Sequence, residues 1–346
     1  MSINLNSFTN PLFYQVYGDK PFDLHAFINT TWEDKGYFFD RRPGPLEMSC
    51  ISIRTARSHS DHKLGNVPGS PVLEGVIEFA VHTRLVPAKV VAEEVRQEVL
   101  NIEVKESRAV RARERSEIKQ KVLERMIPRS FVDTRVVPVM VLRSYDQQYL
   151  VVDSTSTNRA EDILSFMRDA VGSIPVRPHQ VKSRPEDVMA RWAKDATHPG
   201  WLALNGDFKV EEPNGEADSL SGKSVSTHEL GEILERGGWR VTSLGVDAST
   251  LTDMASCNTQ YTRLTVTGAG HMKSIKWPEE FRDQLDESVS DLEEGQNASK
   301  ALAYGTDILI AGVLIQLFEQ FVDVFGGHER PAPLDEPVST DVEELI

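Results

Sequence analysis

Four short stretches of this 346-residue chain bring together residue types that can do chemistry. The first, DSLSGKSVS (218–226), contains Gly222-Lys223-Ser224, the tail of the phosphate loop G-x-x-x-x-G-K-[ST]. In such a loop glycine N–H groups cradle phosphates, the lysine reaches the terminal phosphates and the hydroxyl ligates magnesium. Here Ala217 stands in the first glycine's place, Gly215 is two positions too far upstream, and the preceding VEEPNGEA is acidic and turn-like where a buried strand is required. A nucleotide-hydrolysing loop is not expected. The second stretch, SHSDH (58–62), collects His59, Asp61 and His62, all metal-ligand types. Read as a loop, it needs a fourth ligand that no second His or Cys cluster supplies, so no metal is expected. Glu103-Val104-Lys105 and Asp207-Phe208-Lys209 match the carboxylate-x-lysine spacing of magnesium-dependent nucleases. One lies in a helical pattern and the other near a turn with no clear Asp partner. A nucleophile elbow, an H-E-x-x-H helix and a G-x-G-x-x-G turn are absent from the sequence, so neither a catalytic residue nor a cofactor is expected.

Composition narrows the class. A chain 40% hydrophobic and 26% charged is globular and long enough for two or three domains. Cys50 and Cys257 form no C-x-x-C pair and no disulfide framework, which fits a reducing, cytoplasmic setting. The opening MSINLNSFTNPLFYQ lacks a basic region followed by an apolar core, and the apolar run 307–318 is too short for a membrane span. The net charge of −15 argues against a nucleic-acid binder, but it hides its distribution: residues 104–129 carry nine Lys or Arg against four Glu. The acid gathers late, in 279–294 and from His328 onward, where a Pro-containing acidic tail is expected to be disordered.

The elements that would position these residues follow from periodicity. The first 80 residues read as short strands, LFYQVYG, GYFFD, EMSCISIRT and PVLEGVIEFAVHTRLVP. Pro87 opens a helix on Val90, Val91, Val95 and Val99. A second helix runs to Pro128 with Ile118, Val122 and Met126 on one stripe. Followed backwards, that stripe meets Arg115 and Arg111. Such an end is either a solvated face laced with Glu114 and Glu117 or a cationic surface that meets an anionic polymer. RVVPVMVLR and QYLVVDS form a hairpin, followed by a helix capped by Thr157 or Asn158, carrying Ile163, Phe166, Met167 and Ala170 and ending at Gly172. EDVMARWAKD reads as a short helix. From Trp201 to Trp277 the pattern is mostly β, interrupted by the helix HELGEILERGG and turning at Gly268-Ala269-Gly270. A helix over 306–325, apolar around most of its girth, is buried or forms a subunit interface.

Several of these segments resemble, in order, those of the RdgC recombination-associated proteins. IPRSF (127–131) is similar to the family's Leu-Pro-Arg-x-Phe. NRAEDILSFMRDAVGSIPVRP is similar to its Lys-Ala-Glu-Asp helix and Leu-Gly-Ser-Leu-Pro-Val ending, and RSHSD, MKSIKWPEEFRDQ and TDILIAGVLIQLFEQFVDVFGG also correspond. The likeness spans about residues 50–327. It implies an α+β, horseshoe-shaped subunit of mixed antiparallel sheets and helices, two of which close into a ring-shaped dimer. The family's members are nucleoid-associated, bind duplex DNA without sequence preference, restrain the RecA recombinase and use no cofactor. Counting back from Phe131, the resemblance puts Arg108, Arg111, Arg115 and Lys119 on basic positions of the family, as phosphate contacts. Phe131 matches a phenylalanine of the subunit contact, its alternative being a plain core aromatic. Where the family has a Lys/Arg-rich strand, DSLSGKSVS keeps only Lys223, which becomes a candidate for a backbone phosphate.

The organisation expected is an N-terminal β-rich part (1–86), a basic helical pair (87–130), a ββα part (131–200), a β-rich arm (201–277), a C-terminal helical segment (278–327) and an acidic tail (328–346). The function expected is a homodimeric protein that encircles duplex DNA and restrains RecA-dependent recombination. An acidic module acting on recombination or replication proteins, or a magnesium-dependent nuclease, are its alternatives.

Overall fold

The computed structural model describes residues 7–17, 20–39, 41–64, 70–144, 147–212, 219–237, 239–249, 261–278, 283 and 298–329. Cys257, the acidic stretch 284–294 and the tail beyond Glu329 lie outside them. The architecture is α+β with antiparallel sheets, in two compact units: residues 1–178 with 272–315, and 179–271 with 316–346.

In chain order the first unit contains β1 (Pro11–Val16), α1 (Leu24–Glu33), α2 (Lys35–Phe38), β2 (Ser49–Lys63), β3 (Val72–Arg84), α3 (Ala88–Glu106), α4 (Ala112–Met126), β4 (Val132–Ser144), β5 (Gln147–Asp153), α5 (Thr157–Val171) and β6 (Val176–Pro178). Its sheet has the order β2-β3-β4-β5-β1-β6, with neighbours antiparallel throughout. The N-terminal strand is thus inserted between β5 and β6. Alternation gives each strand two faces. One carries Ile53, Phe79, Val137, Val139 and Leu150 into a core with α1 and α5, where Phe27, Ile163 and Met167 are fully buried.

Four local expectations are corrected. The segment 24–33 is a helix rather than loop, capped by Asp23, whose Oδ1 accepts the Ala26 N–H at 2.9 Å. GYFFD is not a strand: its first residues form the single turn α2, and only Phe39 bridges to Ile53. SHSDH is no loop but part of the long strand β2, with a register shift between Ser58, opposite Gly75, and His62, opposite Leu73. Ser156, not Thr157 or Asn158, caps α5, its Oγ accepting the Arg159 N–H.

The second unit holds α6 (Pro185–Asp195), β7 (Leu202–Glu211), β8 (Ser219–Gly222), α7 (Thr227–Gly237), β9 (Arg240–Ser249) and β10 (Tyr261–Thr267). Its strands follow the order β10-β9-β7-β8, and Leu244, Val246, Val210 and Leu264 are buried with Met189 and Trp192 of α6 and Leu234 of α7. Strand β11 (Met272–Lys276) returns to the first unit, where the Ile275 N–H donates to the Thr9 carbonyl at 2.9 Å.

The last helix, α8 (Ala298–Val324), starts eight residues before the apolar pattern does. Its stretch Ala301–Val324 has the length and composition of a membrane span, contrary to the expectation from residues 307–318 alone. Its side chains from Ile310 to Val322 are largely buried, and Asp307 is ion-paired to Arg57 of β2, which is the environment of a core helix.

In the second unit His179 lies 4.8 Å from the Phe318 ring and 5.1 Å from His328, centroid to centroid. Burial, with His328 and His271 nearby, lowers its pKa from 6.5 to about 4. The unfolded chain therefore binds more protons between those values, and stability present above pH 6.5 is lost as pH falls toward 4. This group alone is expected to cost about 2 kcal/mol between pH 7 and 5. Urea titrations at both pH values should show a smaller loss in His179→Phe; an equal loss in both proteins would refute this origin.

Candidate nucleic-acid interface

Helices α3 and α4 form a hairpin with a small core of their own, Val91, Val95 and Val99 meeting Ile118 and Val122. Val90, expected with that row, is exposed. The turn between the helices is fixed by charge. Arg108 donates Nη1 and Nη2 to the Glu114 carboxylate at 2.7 and 2.6 Å and Nε to Glu106 at 2.7 Å, while Glu103 accepts the Val110 N–H. The Arg108 guanidinium holds the Glu114 carboxyl below the usual carboxylate range. At the other end Arg125 bridges Glu94 and Glu98 of α3 at 2.9 and 2.8 Å.

One turn before Ile118 the apolar stripe meets Glu114, which closes the seam with Arg108. The basic row is its neighbour, displaced by one residue: Arg111 at the N-cap, then Arg115 and Lys119 on the helix, four apart and exposed. Among the described residues none of these three makes an ion pair, whereas Arg108, Arg113 and Arg125 all do. The structure therefore separates Arg108 and Arg125, which hold the hairpin together, and Arg113, paired along its own helix, from a row directed to solvent. Cations in the first turn of a helix face the positive end of its dipole, so Arg111 and Arg115 do not stabilise the helix through it.

Phe131 follows α4 across the 3-10 turn Ile127–Arg129 and is 85% exposed, which removes the core-aromatic alternative. Its carbonyl accepts the Leu85 N–H at 2.8 Å. Leu46, Met48, Leu85 and Val132 are also exposed apolar residues. Beneath this turn lies a residue that sequence reasoning missed. The Arg84 guanidinium donates to five carbonyl oxygens, those of Pro43, Gly44, Glu47, Ile127 and Ser130, at 3.0–3.3 Å. A lone arginine at a strand end gives no sequence signal for such a role.

Lys223 is exposed just after the four-residue strand β8 and lines a shallow groove with Asp207, Ser221, Ser243 and Thr265. The backbone donors at the end of the Gly-Lys-Ser segment are engaged within the fold. The Ser224 N–H donates to Asp207 Oδ1 at 3.1 Å and the Val225 N–H to the Gly206 carbonyl at 2.9 Å. Gly206, at φ +84°, approaches so closely that a Cβ there would lie 2.5 Å from the Val225 carbonyl. Ser226 and Glu229 then cap α7 reciprocally. Three of the four residues of the carboxylate-x-lysine pairs are likewise engaged in the fold: Glu103 holds the helical turn, Asp207 the Ser224 N–H, and Lys209 pairs with Glu211 at 2.7 Å.

In SHSDH, His59 is buried and its Nε2 lies 3.1 Å from Asp307 Oδ2. Tyr304 packs over its ring at 4.1 Å. Arg57, on the same strand, joins Asp307 to Glu78 of β3. Among the described residues no group of three or more His, Cys, Asp or Glu is arranged to hold a metal.

A family model described as "Putative exonuclease, RdgC" matches residues 74–328, a range that contains the basic hairpin, Phe131 and most of the second unit. The chain belongs to the RdgC family. Proteins named "Recombination-associated protein RdgC" are similar along much of its length. That of Halorhodospira halophila is 27% identical over 302 residues, covering 85% of this chain and 93% of its own. That of Actinobacillus pleuropneumoniae serotype 3 is 26% identical over 248 residues, 70% of this chain and 75% of its own. That of Pseudomonas fluorescens is 31% identical over 186 residues, 54% and 58%. RdgC membership links the chain to recombination, and the basic row of α4 lies within the matched range.

Proposed function

We propose that this protein binds duplex DNA without sequence preference, closing around it as a homodimer in the nucleoid and restraining a RecA-type recombinase. The observation that carries the reading is the unpaired, exposed row Arg111-Arg115-Lys119 on a self-contained helical hairpin in a chain of net charge −15. A protein so acidic repels a polyanion over most of its surface, so cations left without carboxylates mark where phosphates meet it. Lys223 adds a weaker contact, since Asp207 shares its groove. Arg108 contributes through the turn it holds, its guanidinium being engaged by Glu106 and Glu114. The test is a gel-shift salt titration with duplexes of unrelated sequence: equal affinities falling steeply with salt support the reading, and no retention at low salt refutes it.

The exposed ring of Phe131 supports a contact between two copies, because a phenyl group this open gains burial only from a partner. Phe131→Ser is expected to convert dimer to monomer at micromolar concentration, read by light scattering after size exclusion. A variant that keeps the wild-type mass would remove Phe131 from the contact.

A further inference from the structure

The sheet face of the first unit that points away from the α1 and α5 core carries a second cluster of cations. Register pairs Ser52 with Ala80, Ala80 with Val136, and His82 with Thr134, so these side chains share the face opposite Ile53, Phe79 and Val137. Together with Arg42 and Arg54 they line a cavity of about 270 Å³. Among the described residues its lining includes no carboxylate, and Arg42 and Arg54 make no ion pair. Both are exposed, whereas Ser52 and His82 are only 2% and 3% exposed at the floor.

The floor is wired for donation. His82 Nδ1 lies 2.8 Å from Thr134 Oγ1 and 3.3 Å from Arg42 Nη1, and its Nε2 lies 3.2 Å from Ser52 Oγ. Burial and the adjacent Arg42 lower the pKa of the ring, which is therefore neutral near pH 7. An Arg42 N–H is a donor, so Nδ1 is the acceptor and the ring proton sits on Nε2, which donates to Ser52 Oγ. The Ser52 hydroxyl proton is then left for a ligand. Two guanidiniums and a hydroxyl, with no acceptor charge among them, match the oxygens of a phosphate group.

We propose that this cavity is a phosphate-binding site, with Arg42 and Arg54 as its cations and the Ser52 hydroxyl, oriented by His82, as its neutral donor. Its chemistry suits a backbone phosphodiester or a free phosphate alike. The first source rests on the function proposed above, the second does not. A phosphate polymer is favoured over an acidic peptide because α4 offers a second set of unpaired cations in the same unit.

The test uses the full-length protein with histidine rings labelled at Cε1, the His82 resonance being assigned by His82→Gln. Inorganic phosphate and a 20-base-pair duplex are titrated separately. A saturable shift of His82 with either probe, weakened at least tenfold in Arg42→Gln/Arg54→Gln while the other histidine signals stay in place, supports the site. Response to the duplex alone or to both probes assigns it to backbone phosphate, and response to inorganic phosphate alone to a small anion. No shift with either probe, or a shift that only polyglutamate produces, overturns the proposal. Failure of the wild-type gel shift would sink the DNA-binding function, while the phosphate titration would still decide the site.

Discussion

Replacing Arg111, Arg115 and Lys119 together by Glu is expected to abolish duplex binding at low salt, with a loss of at least 100-fold in affinity. Each phosphate contact removed lowers the slope of log affinity against log salt by about 0.9, so a weakly retained triple variant should show a slope smaller by about 3. The fold should survive. All three side chains are exposed, and the hairpin core of Val91, Val95, Val99, Ile118 and Val122 is untouched. Glutamates in the first turn also suit the helix dipole better than arginines do. Circular dichroism and a thermal melt check that expectation, and the gel shift reads the effect. Arg113→Glu is the internal control, because its present partner is Glu117 on its own helix. A triple variant that binds within threefold of wild type would show that α4 does not meet the DNA.

The largest stability effect is expected far from that surface, at Asp307. Its carboxylate accepts Arg57 Nε at 2.9 Å and Arg57 Nη2 at 3.2 Å, and faces His59 Nε2 at 3.1 Å. The Asp307 side chain is 9% exposed and that of His59 is fully buried. Asp307→Ala leaves a half-buried guanidinium with Glu78 and the Thr55 hydroxyl, and takes from the buried His59 ring the carboxylate it faces. The cost is about 3 kcal/mol, at the lower end for a broken buried ion pair because Arg57 keeps some contact with water. Asp307→Asn retains an acceptor for the ring and should lose about half as much. Urea denaturation separates the two, and a change below 1 kcal/mol in the alanine variant would show that α8 is held by its apolar contacts alone.

The elements that were legible in the sequence are those whose period matched their burial. The rows Val91-Val95-Val99 and Ile118-Val122 predicted two helices because those residues do face each other. The hairpin β4–β5 followed from continuous apolar runs, and Gly172 ended α5 at φ +80°. Helix α1 was not legible: Leu24, Phe27 and Thr31 are its buried residues, and a threonine on the apolar face breaks the expected contrast. That hydroxyl is satisfied by the Phe27 carbonyl of the preceding turn. The basic row of the candidate site was legible in outline, since basic residues four apart needed no tertiary knowledge. The separation of Arg108 from its neighbours did need it, because Glu106 and Glu114 close on Arg108 only once the turn at Ser107 takes φ +51°. The cavity of Arg42, Arg54 and His82 draws on three strands and a preceding loop, and no linear pattern encodes such a gathering.

The five carbonyls gathered by Arg84 bear on the contact proposed for Phe131 with a second copy. An exposed ring on a pliant turn would have to be immobilised at the moment of encounter, at the cost of backbone and side-chain entropy. Here the turn is fastened on one side to the loop at 43–47 and on the other to β3, so its ordering is completed during folding and association inherits it. Affinity between copies would then be controlled from beneath the proposed contact, by an arginine whose guanidinium is engaged by its own chain.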